Sequence, residues 1–327
     1  MDVDSSSATL AATQGLTRAE GLYFEDCGLI IQAENTLFRI SREYLASQSP
    51  VFRDMLSLPP PQTADMMDGC PFVQLPDKAE DVIVFLKALM FSDFFESHPA
   101  PTTFAILTGV LRMSHKYDVN HLRKRALVHI SANFPMTLDE YLVWYRGKQP
   151  DWYLESTDND LAMLSILARE LSFEWILPFA FYEICNSYNS ELVILREPHS
   201  FEDRVRLVAA CRSFDSTAVT LMLEFLWPDD NPVDGCHSSG DCDEARLVCR
   251  RLAEDWRQRA GNDTPRGPLD IWEESDFARL HVCDACLANS KAQHQTAQQV
   301  FWDTLPETFG LPEWSELARL KSETLKQ

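Results

Sequence analysis

The chain has 327 residues, of which 45% are hydrophobic and 11% aromatic, a composition typical of folded globular proteins. Its 50 acidic residues outnumber 29 lysines and arginines, so the formal net charge at pH 7 is -21. Such a charge repels phosphate backbones and anionic membrane surfaces, and we expect no direct binding to nucleic acid or to membranes.

The sequence also indicates the compartment. No apolar run approaches the roughly 18 residues that a membrane span needs. The first residues lack the basic start and apolar centre of a secretory signal, so a cytoplasmic or nuclear protein is expected. In that reducing setting the nine cysteines should be free thiols or metal ligands and not a disulfide framework.

The N-terminal part of the chain predicts a tail followed by a hairpin. Residues 1–20 are small and polar without periodicity, so a disordered tail is expected there. The apolar stretches 27–33 and 36–40 flank the polar pair Glu34 and Asn35, which predicts two short strands joined by a tight turn.

Two short helices, a strand and three longer helices are predicted next. Ser41 and Ser49 can each cap a short helix, and Pro50 suits the first position of the second one. Residues 72–76 predict a third strand, which a proline ends. Apolar residues that recur every three or four positions predict helices from residue 78 onward, over 102–117 and over 120–134.

This order of elements, and two motifs within it, resemble a BTB (POZ) domain. The stretch from Phe38 to Phe52 matches the family pattern F-x-v-H-r-x-x-L-a-x-x-S-x-x-F, with Ser41 in place of the usual histidine. The stretch from His115 to Val119 matches a-x-K-Y-x-v. The resemblance covers residues 21–134 and implies an α+β fold, with a short three-stranded sheet and surrounding helices.

The rest of the chain predicts a mostly α-helical region. Thr137 to Glu140 forms a capping-box pattern. Helical periodicity follows over residues 161–171, 201–212, 217–227, 244–259 and 283–305. A shift to helix-breaking residues after Trp227 predicts a helical domain over 135–228 and a helical, cysteine-containing tail over 229–327.

The last tryptophan-rich segment resembles a second group of proteins. From Trp302 to Trp314 the chain has the form W-x-x-L-P-x-x-F-G-L-P-x-W. Together with the upstream cysteines, this ending resembles mushroom-type fungal proteins that join an N-terminal BTB domain to a helical, cysteine-bearing region. The resemblance concerns architecture and implies no defined biochemical role.

Four cysteines of the tail are candidate metal ligands: Cys236, Cys242, Cys283 and Cys286. Zn²⁺ binds four soft ligands in a tetrahedron, and a reducing compartment supplies them as thiolates, so a structural zinc site is one reading. Because the first pair is widely spaced, His237, His281 or His294 can replace a cysteine. A redox pair at Cys283 and Cys286 and ordinary thiols are the alternatives. The other five cysteines are expected to be small buried side chains: Cys27, Cys70, Cys185, Cys211 and Cys249.

Several common catalytic motifs are absent from the sequence. The sequence has no G-x-S-x-G elbow, no phosphate-binding G-x-x-x-x-G-K-[ST] loop, no G-x-G-x-x-G fingerprint and no H-E-x-x-H pair. We therefore expect no enzyme, no catalytic residues and no cofactor other than structural zinc.

The BTB resemblance implies a protein-protein interaction module. BTB domains pair with the same or another BTB chain, or dock a partner such as a cullin ligase scaffold, so an adaptor for a cullin-type ubiquitin ligase is one expected function. Candidate contact residues lie on the first strand and the helix pair: Leu29, Ile31, Tyr44 and Phe52. The alternative is a zinc-stabilised BTB regulator that acts in transcription or on chromatin through protein partners.

Overall fold

The structure is a computed structural model that describes residues 15–58, 66–146, 153–187, 189–214, 219–228, 232–259 and 267–326. The chain forms two compact units. The first consists of Met1–Asn133 with Pro150–Glu155 and Leu325–Gln327, and the second of Phe134–Gln149 and Ser156–Thr324. The predicted regions 135–228 and 229–327 thus belong largely to one unit. Among the described residues, no helix combines the length and the apolar character that crossing a membrane requires.

The first unit contains a five-stranded mixed sheet. Its strands are β1 (Thr17–Tyr23), β2 (Leu29–Ala33), β3 (Thr36–Ile40), β4 (Met66–Met67) and β5 (Cys70–Leu75), in the order β1-β3-β2-β5-β4. The predicted hairpin is present: β2 and β3 pair antiparallel, with Leu29 opposite Ile40. β5 pairs parallel with β2, and β1 pairs parallel with β3. The α+β prediction is confirmed, and the predicted three strands become five.

Strand β1 begins inside the predicted tail. The backbone N–H of Thr17 donates to the carbonyl of Asn35 at 2.9 Å, and the strand then follows β3. Its pattern is locally weak, because only Ala19 and Leu22 are buried among polar neighbours. Pairing with a distant strand therefore fixes residues 17–20, while residues 1–14 of the predicted tail lie outside the described part of the chain.

Five helices complete the described part of the first unit: α1 (Arg42–Gln48), α2 (Pro50–Ser57), α3 (Ala79–Met90), α4 (Phe104–Lys116) and α5 (Asn120–Asn133). The predicted caps are confirmed, since Ser41 Oγ accepts from the backbone N–H of Tyr44 and Ser49 Oγ accepts from that of Phe52. Ser49 Oγ also donates to the carbonyl of Tyr117 at 2.5 Å. This bond attaches the α1–α2 pair to the end of α4.

The second unit is helical over its described residues. Its α-helices are α6 (Leu138–Arg146), α7 (Asp158–Glu170), α8 (Leu177–Asn186), α9 (Ser190–Arg196), α10 (Phe201–Ser213), α11 (Val219–Met222), α12 (Ser239–Arg259), α13 (Asp284–Thr308) and α14 (Trp314–Lys326). Short 3-10 turns lie at Glu174–Ile176, Glu224–Leu226, Pro268–Asp270 and Asp276–Arg279. The predicted capping box before α6 is present. The Thr137 hydroxyl accepts a hydrogen bond from the backbone N–H of Glu140, and the Glu140 carboxylate accepts one from the backbone N–H of Thr137.

A cluster of aromatic side chains lies in the core of the second unit. Tyr141, Tyr182 and Trp302 are fully buried, and the ring of Tyr141 lies edge-on to that of Tyr182 and tilted to that of Trp302. Trp302 also stacks on Trp314, with ring centroids 5.4 Å apart and the planes parallel, and Trp314 Nε1 donates to the carbonyl of Trp302 at 3.0 Å. This contact closes the turn between α13 and α14.

Candidate metal centre

Four cysteine sulfurs of the second unit converge on one point. The Sγ atoms of Cys236, Cys242, Cys283 and Cys286 all lie within 4.8 Å of one another. Cys236 Sγ and Cys242 Sγ are 3.9 Å apart, far beyond the roughly 2.05 Å of a disulfide bond. None of the nine cysteines, all of which the structure describes, forms a disulfide bond. The sequence prediction that these four residues form one group is confirmed.

The starts of two helices hold these sulfurs in place. Cys236 follows Gly235, whose φ of +80° a residue with a side chain rarely adopts, so the chain can turn sharply before the first sulfur. Cys242 lies in the first turns of α12 and is buried. Cys283 is the N-cap residue of α13, and Cys286 lies in the first turn of that helix.

A backbone hydrogen bond links the two cysteine pairs. The backbone N–H of Cys283 donates to Cys242 Sγ at 3.4 Å. Such a bond stabilises a thiolate, which is the form that a metal ion binds. The start of α12 and the start of α13 therefore meet through the ligands themselves.

Proton affinities differ sharply among the sulfurs. The backbone amide of Cys286, with help from the neighbouring thiols, lowers the pKa of Cys283 to about 7. Burial is the main cause that raises the pKa of Cys286 well above its usual value, and hydrogen bonds with the other three thiols raise it further. Only a bound cation can stabilise all four thiolates together, so binding a metal would release protons from this group.

The spacing of the sulfurs fits a single tetrahedral ion. A Zn–S bond of about 2.3 Å gives a tetrahedron with edges of about 3.8 Å, close to the 3.9 Å between Cys236 and Cys242. A multi-iron cluster would place several iron atoms between the thiolates and spread them further. A closed set of four cysteines is typical of structural zinc and leaves no position for a substrate.

The structure places the histidine alternatives elsewhere. His294 lies among Phe225 and Phe277, and its Nδ1 is 3.2 Å from the carbonyl of Met222. Neither His237 nor His281 belongs to the group of converging ligands found among the described residues. Four thiols suffice, so no histidine has to replace a cysteine.

Three of the other five cysteines are buried, as the sequence predicts, whereas Cys27 and Cys211 are only partly buried. Cys185 and Cys249 are buried and face backbone carbonyls, those of Leu207 and Arg279. Cys70 is buried in the first unit, with its sulfur 3.7 Å from the carbonyl of Cys27.

Three of the four predicted contact residues are in the core of the first unit. Leu29, Ile31 and Phe52 are each exposed by 1% or less. Side chains as buried as these cannot touch a partner in this fold, so the structure corrects this prediction. Tyr44 on α1 remains 37% exposed, and its hydroxyl donates to the carbonyl of Leu89.

One polar pair that resembles catalytic machinery was not predicted from the sequence. Ser165 Oγ lies 2.9 Å from His199 Nε2, and both residues are buried in the second unit. However, Ser165 Oγ donates its own proton to the carbonyl of Ala162 at 2.7 Å, so the histidine must donate to the serine. The nearby carboxylate of Asp203 is paired with Arg169 at 2.8 Å. This pair therefore satisfies buried polar groups and does not activate a nucleophile.

Comparisons with known proteins identify no relative. No protein-family model matches the chain, and no curated protein or solved structure matches it significantly. The four converging thiols and the contacts within the two units are therefore the basis for the functional argument.

Proposed function

We propose that this chain is a protein-interaction adaptor, with a BTB-type binding module in its first unit and a zinc-stabilised helical second unit. The observation that carries the proposal is a contact between the two motif stretches on which the BTB resemblance rests. Ser49 and Phe52 belong to the first stretch and Tyr117 to the second. They lie more than 60 positions apart in the chain, yet they touch.

The geometry of this contact explains why both motifs need these residue types. Ser49 Oγ caps α2 and binds the carbonyl of Tyr117, which ends α4. The ring of Phe52 stacks on that of Tyr117, with centroids 4.2 Å apart and planes within 10°. Tyr117 also donates to Asp77 at 2.6 Å. The motif residues thus fix the α1–α2 pair in place, and a module that binds proteins needs such a rigid surface.

A partner surface is available on that pair. Tyr44 on α1 and Val51 on α2 are both more than one-third exposed, and Phe91 at the end of α3 is similarly exposed. Apolar side chains that remain exposed on a rigid helical surface are typical of protein contacts. We place partner docking on this surface, which consists of Tyr44, Val51 and Phe91.

Binding of a purified cullin scaffold to the full chain tests the adaptor function. Val51→Glu introduces a charge on the proposed surface and should weaken binding at least tenfold. Met163→Glu on α7 is the matched control, since Met163 is 40% exposed and Val51 39%, and it should bind normally. Equal binding by both variants would place the contact elsewhere.

A second candidate, which shares the zinc-stabilised second unit, is a regulator that acts on transcription or chromatin through protein partners. The same purified chain distinguishes the two functions. Cullin binding supports the adaptor. Failure to bind a cullin, together with stoichiometric zinc and recovery of chromatin-associated proteins that Val51→Glu loses, supports the regulator.

A further inference from the structure

The second unit exposes a row of apolar side chains on one side of α10. Phe201, Val205 and Val208 recur at the spacing of one helix face and are 80%, 52% and 44% exposed. The opposite side of the same helix buries Leu207 and Ala210 in the core. Helix α10 therefore has apolar side chains on two opposite sides. Those on one side pack in the core, and those on the other side are covered by nothing among the described residues. We call Phe201, Val205 and Val208 the α10 face.

The neighbouring helix α9 also exposes large apolar side chains. Leu192 and Leu195 on α9 are also exposed, the latter by 70%, and α9 packs against α10. A monomer seldom leaves several large apolar side chains on one surface, because their burial stabilises association by about 25 cal/mol per Å².

The charge of this segment differs from that of the rest of the chain. Residues 190–213 contain four acidic side chains (Glu191, Glu197, Glu202, Asp203) and four basic ones (Arg196, Arg204, Arg206, Arg212), which cancel, whereas the chain as a whole carries -21. Two copies of the chain repel each other on average, and a neutral segment such as this one is a place where like copies can meet.

The charges along α10 also have a direction. The first turn carries Glu202, whose side chain is 71% exposed and also pairs with Arg206 on the same helix, and the last turn carries Arg212. In an antiparallel pair of such helices, the acidic end of each faces the basic end of the other, and the helix dipoles oppose each other favourably. Val205 of one copy then faces Val208 of the second copy, and Phe201 lies over Arg212.

We propose that the α10 face binds the same face of a second copy of this chain, in an antiparallel helix pair that makes a two-fold dimer. The occupant is a second copy because the acidic end of the helix complements the basic end of the same helix in an antiparallel pair. This dimer does not depend on the surface of the first unit proposed above for partner docking.

Light scattering and sedimentation of the full chain over a range of concentrations test the dimer. The wild type should dimerise more tightly as salt rises, because salt screens the repulsion between copies and leaves apolar burial intact. Val205→Asp should weaken the dimer at least tenfold. The matched control is Val300→Asp on α13, where the valine is 48% exposed and lies outside the α10 face, and it should leave the dimer unchanged. Circular dichroism should show that both variants are folded.

A charge exchange tests the antiparallel arrangement. Glu202→Lys alone should weaken the dimer, and adding Arg212→Glu in the same chain should restore it, because opposite charges again meet across the interface. A chain that stays monomeric at high salt overturns the proposal. So does a dimer that Val51→Glu abolishes and Val205→Asp leaves intact, a result that would place dimerisation on the first unit and leave the proposed adaptor function standing.

Discussion

Gly109 marks the closest approach of α3 and α4. A Cβ atom at this position would lie 2.5 Å from Val84 Cγ2 and 3.0 Å from Asp81 Oδ1. Replacing an ordinary helix glycine by alanine stabilises the folded state by up to about 1 kcal/mol. Here the added methyl group has no room, and Val84 is β-branched and stiff, so Gly109→Ala should lower the free energy of unfolding by about 1–3 kcal/mol.

A second helical glycine provides the control. Nothing lies within 4 Å of a Cβ atom built at Gly240, near the start of α12. Gly240→Ala should therefore leave the free energy of unfolding unchanged or raise it slightly. Urea unfolding followed by circular dichroism measures both variants, and a loss of stability in Gly240→Ala equal to that in Gly109→Ala would contradict the packing argument.

Asp270 carries a buried carboxyl group in the second unit. Tyr141 donates to it at 2.8 Å and Asn186 at 2.9 Å. Burial raises its pKa from 3.8 to about 6, although these two hydrogen bonds act to lower it. The folded state therefore keeps a proton that the unfolded chain loses near pH 4. The protonated carboxyl group contributes fully to the free energy of unfolding below about pH 4, and this contribution is lost as the pH rises through 6.

Asp270→Asn removes this titration. Between pH 4 and pH 7 the wild type should lose on the order of 3 kcal/mol of unfolding free energy relative to the variant. Glu273, whose charge also raises the pKa of Asp270, stays in both proteins. Urea unfolding at several pH values gives the difference, and parallel pH profiles for the two proteins would refute the assigned shift.

At the scale of elements, the start of α13 should depend on a metal ion. Cys286→Ser removes one of four ligands, so bound zinc should fall from about one ion per chain to a small fraction, and the thermal transition should move down. Cys185→Ser, which changes a buried cysteine outside the group, should keep its zinc. Elemental analysis of the purified proteins measures this. Wild-type protein without stoichiometric metal would rule out the site.

Elements with strong local signals were predictable from the sequence. The helix caps at Ser41, Ser49 and Thr137 followed from side chains that bond the backbone within three positions. The cysteine group was also predictable, because its residue types and expected compartment point to one chemistry. The closeness of Cys236 and Cys242 was not predictable, because five residues separate them in the sequence. Their sulfurs meet only through the turn before α12 and the start of that helix.

Elements that depend on distant partners were not predictable. Strand β1 has little pattern of its own, and β4 is two residues long. The contact prediction for Leu29 and Ile31 failed for a related reason. Consecutive residues of a strand face opposite sides of the sheet, yet Leu29, Ile30 and Ile31 are all buried. Both sides of β2 are therefore covered, which an apolar run of that length cannot reveal.

At the scale of the whole molecule, the two units carry different surfaces. The first presents the docking surface around Val51, and the second holds the thiol group and the α10 face. The net charge of -21 opposes non-specific association between copies of the chain. An exposed apolar patch on such a chain is therefore a stronger indication of a specific contact. Partner docking is thus proposed for the first unit and tested by Val51→Glu, whereas dimerisation is proposed for the second unit and tested by Val205→Asp.

The stacked indoles of Trp302 and Trp314 give the second unit an intrinsic optical marker. The rings are stacked with parallel planes and centroids 5.4 Å apart, so each indole shields one face of the other from water. The fluorescence of these indoles should shift to longer wavelength once either ring moves away. Detachment of the C-terminal helix can therefore be followed by spectroscopy in the unlabelled protein, separately from loss of helix elsewhere.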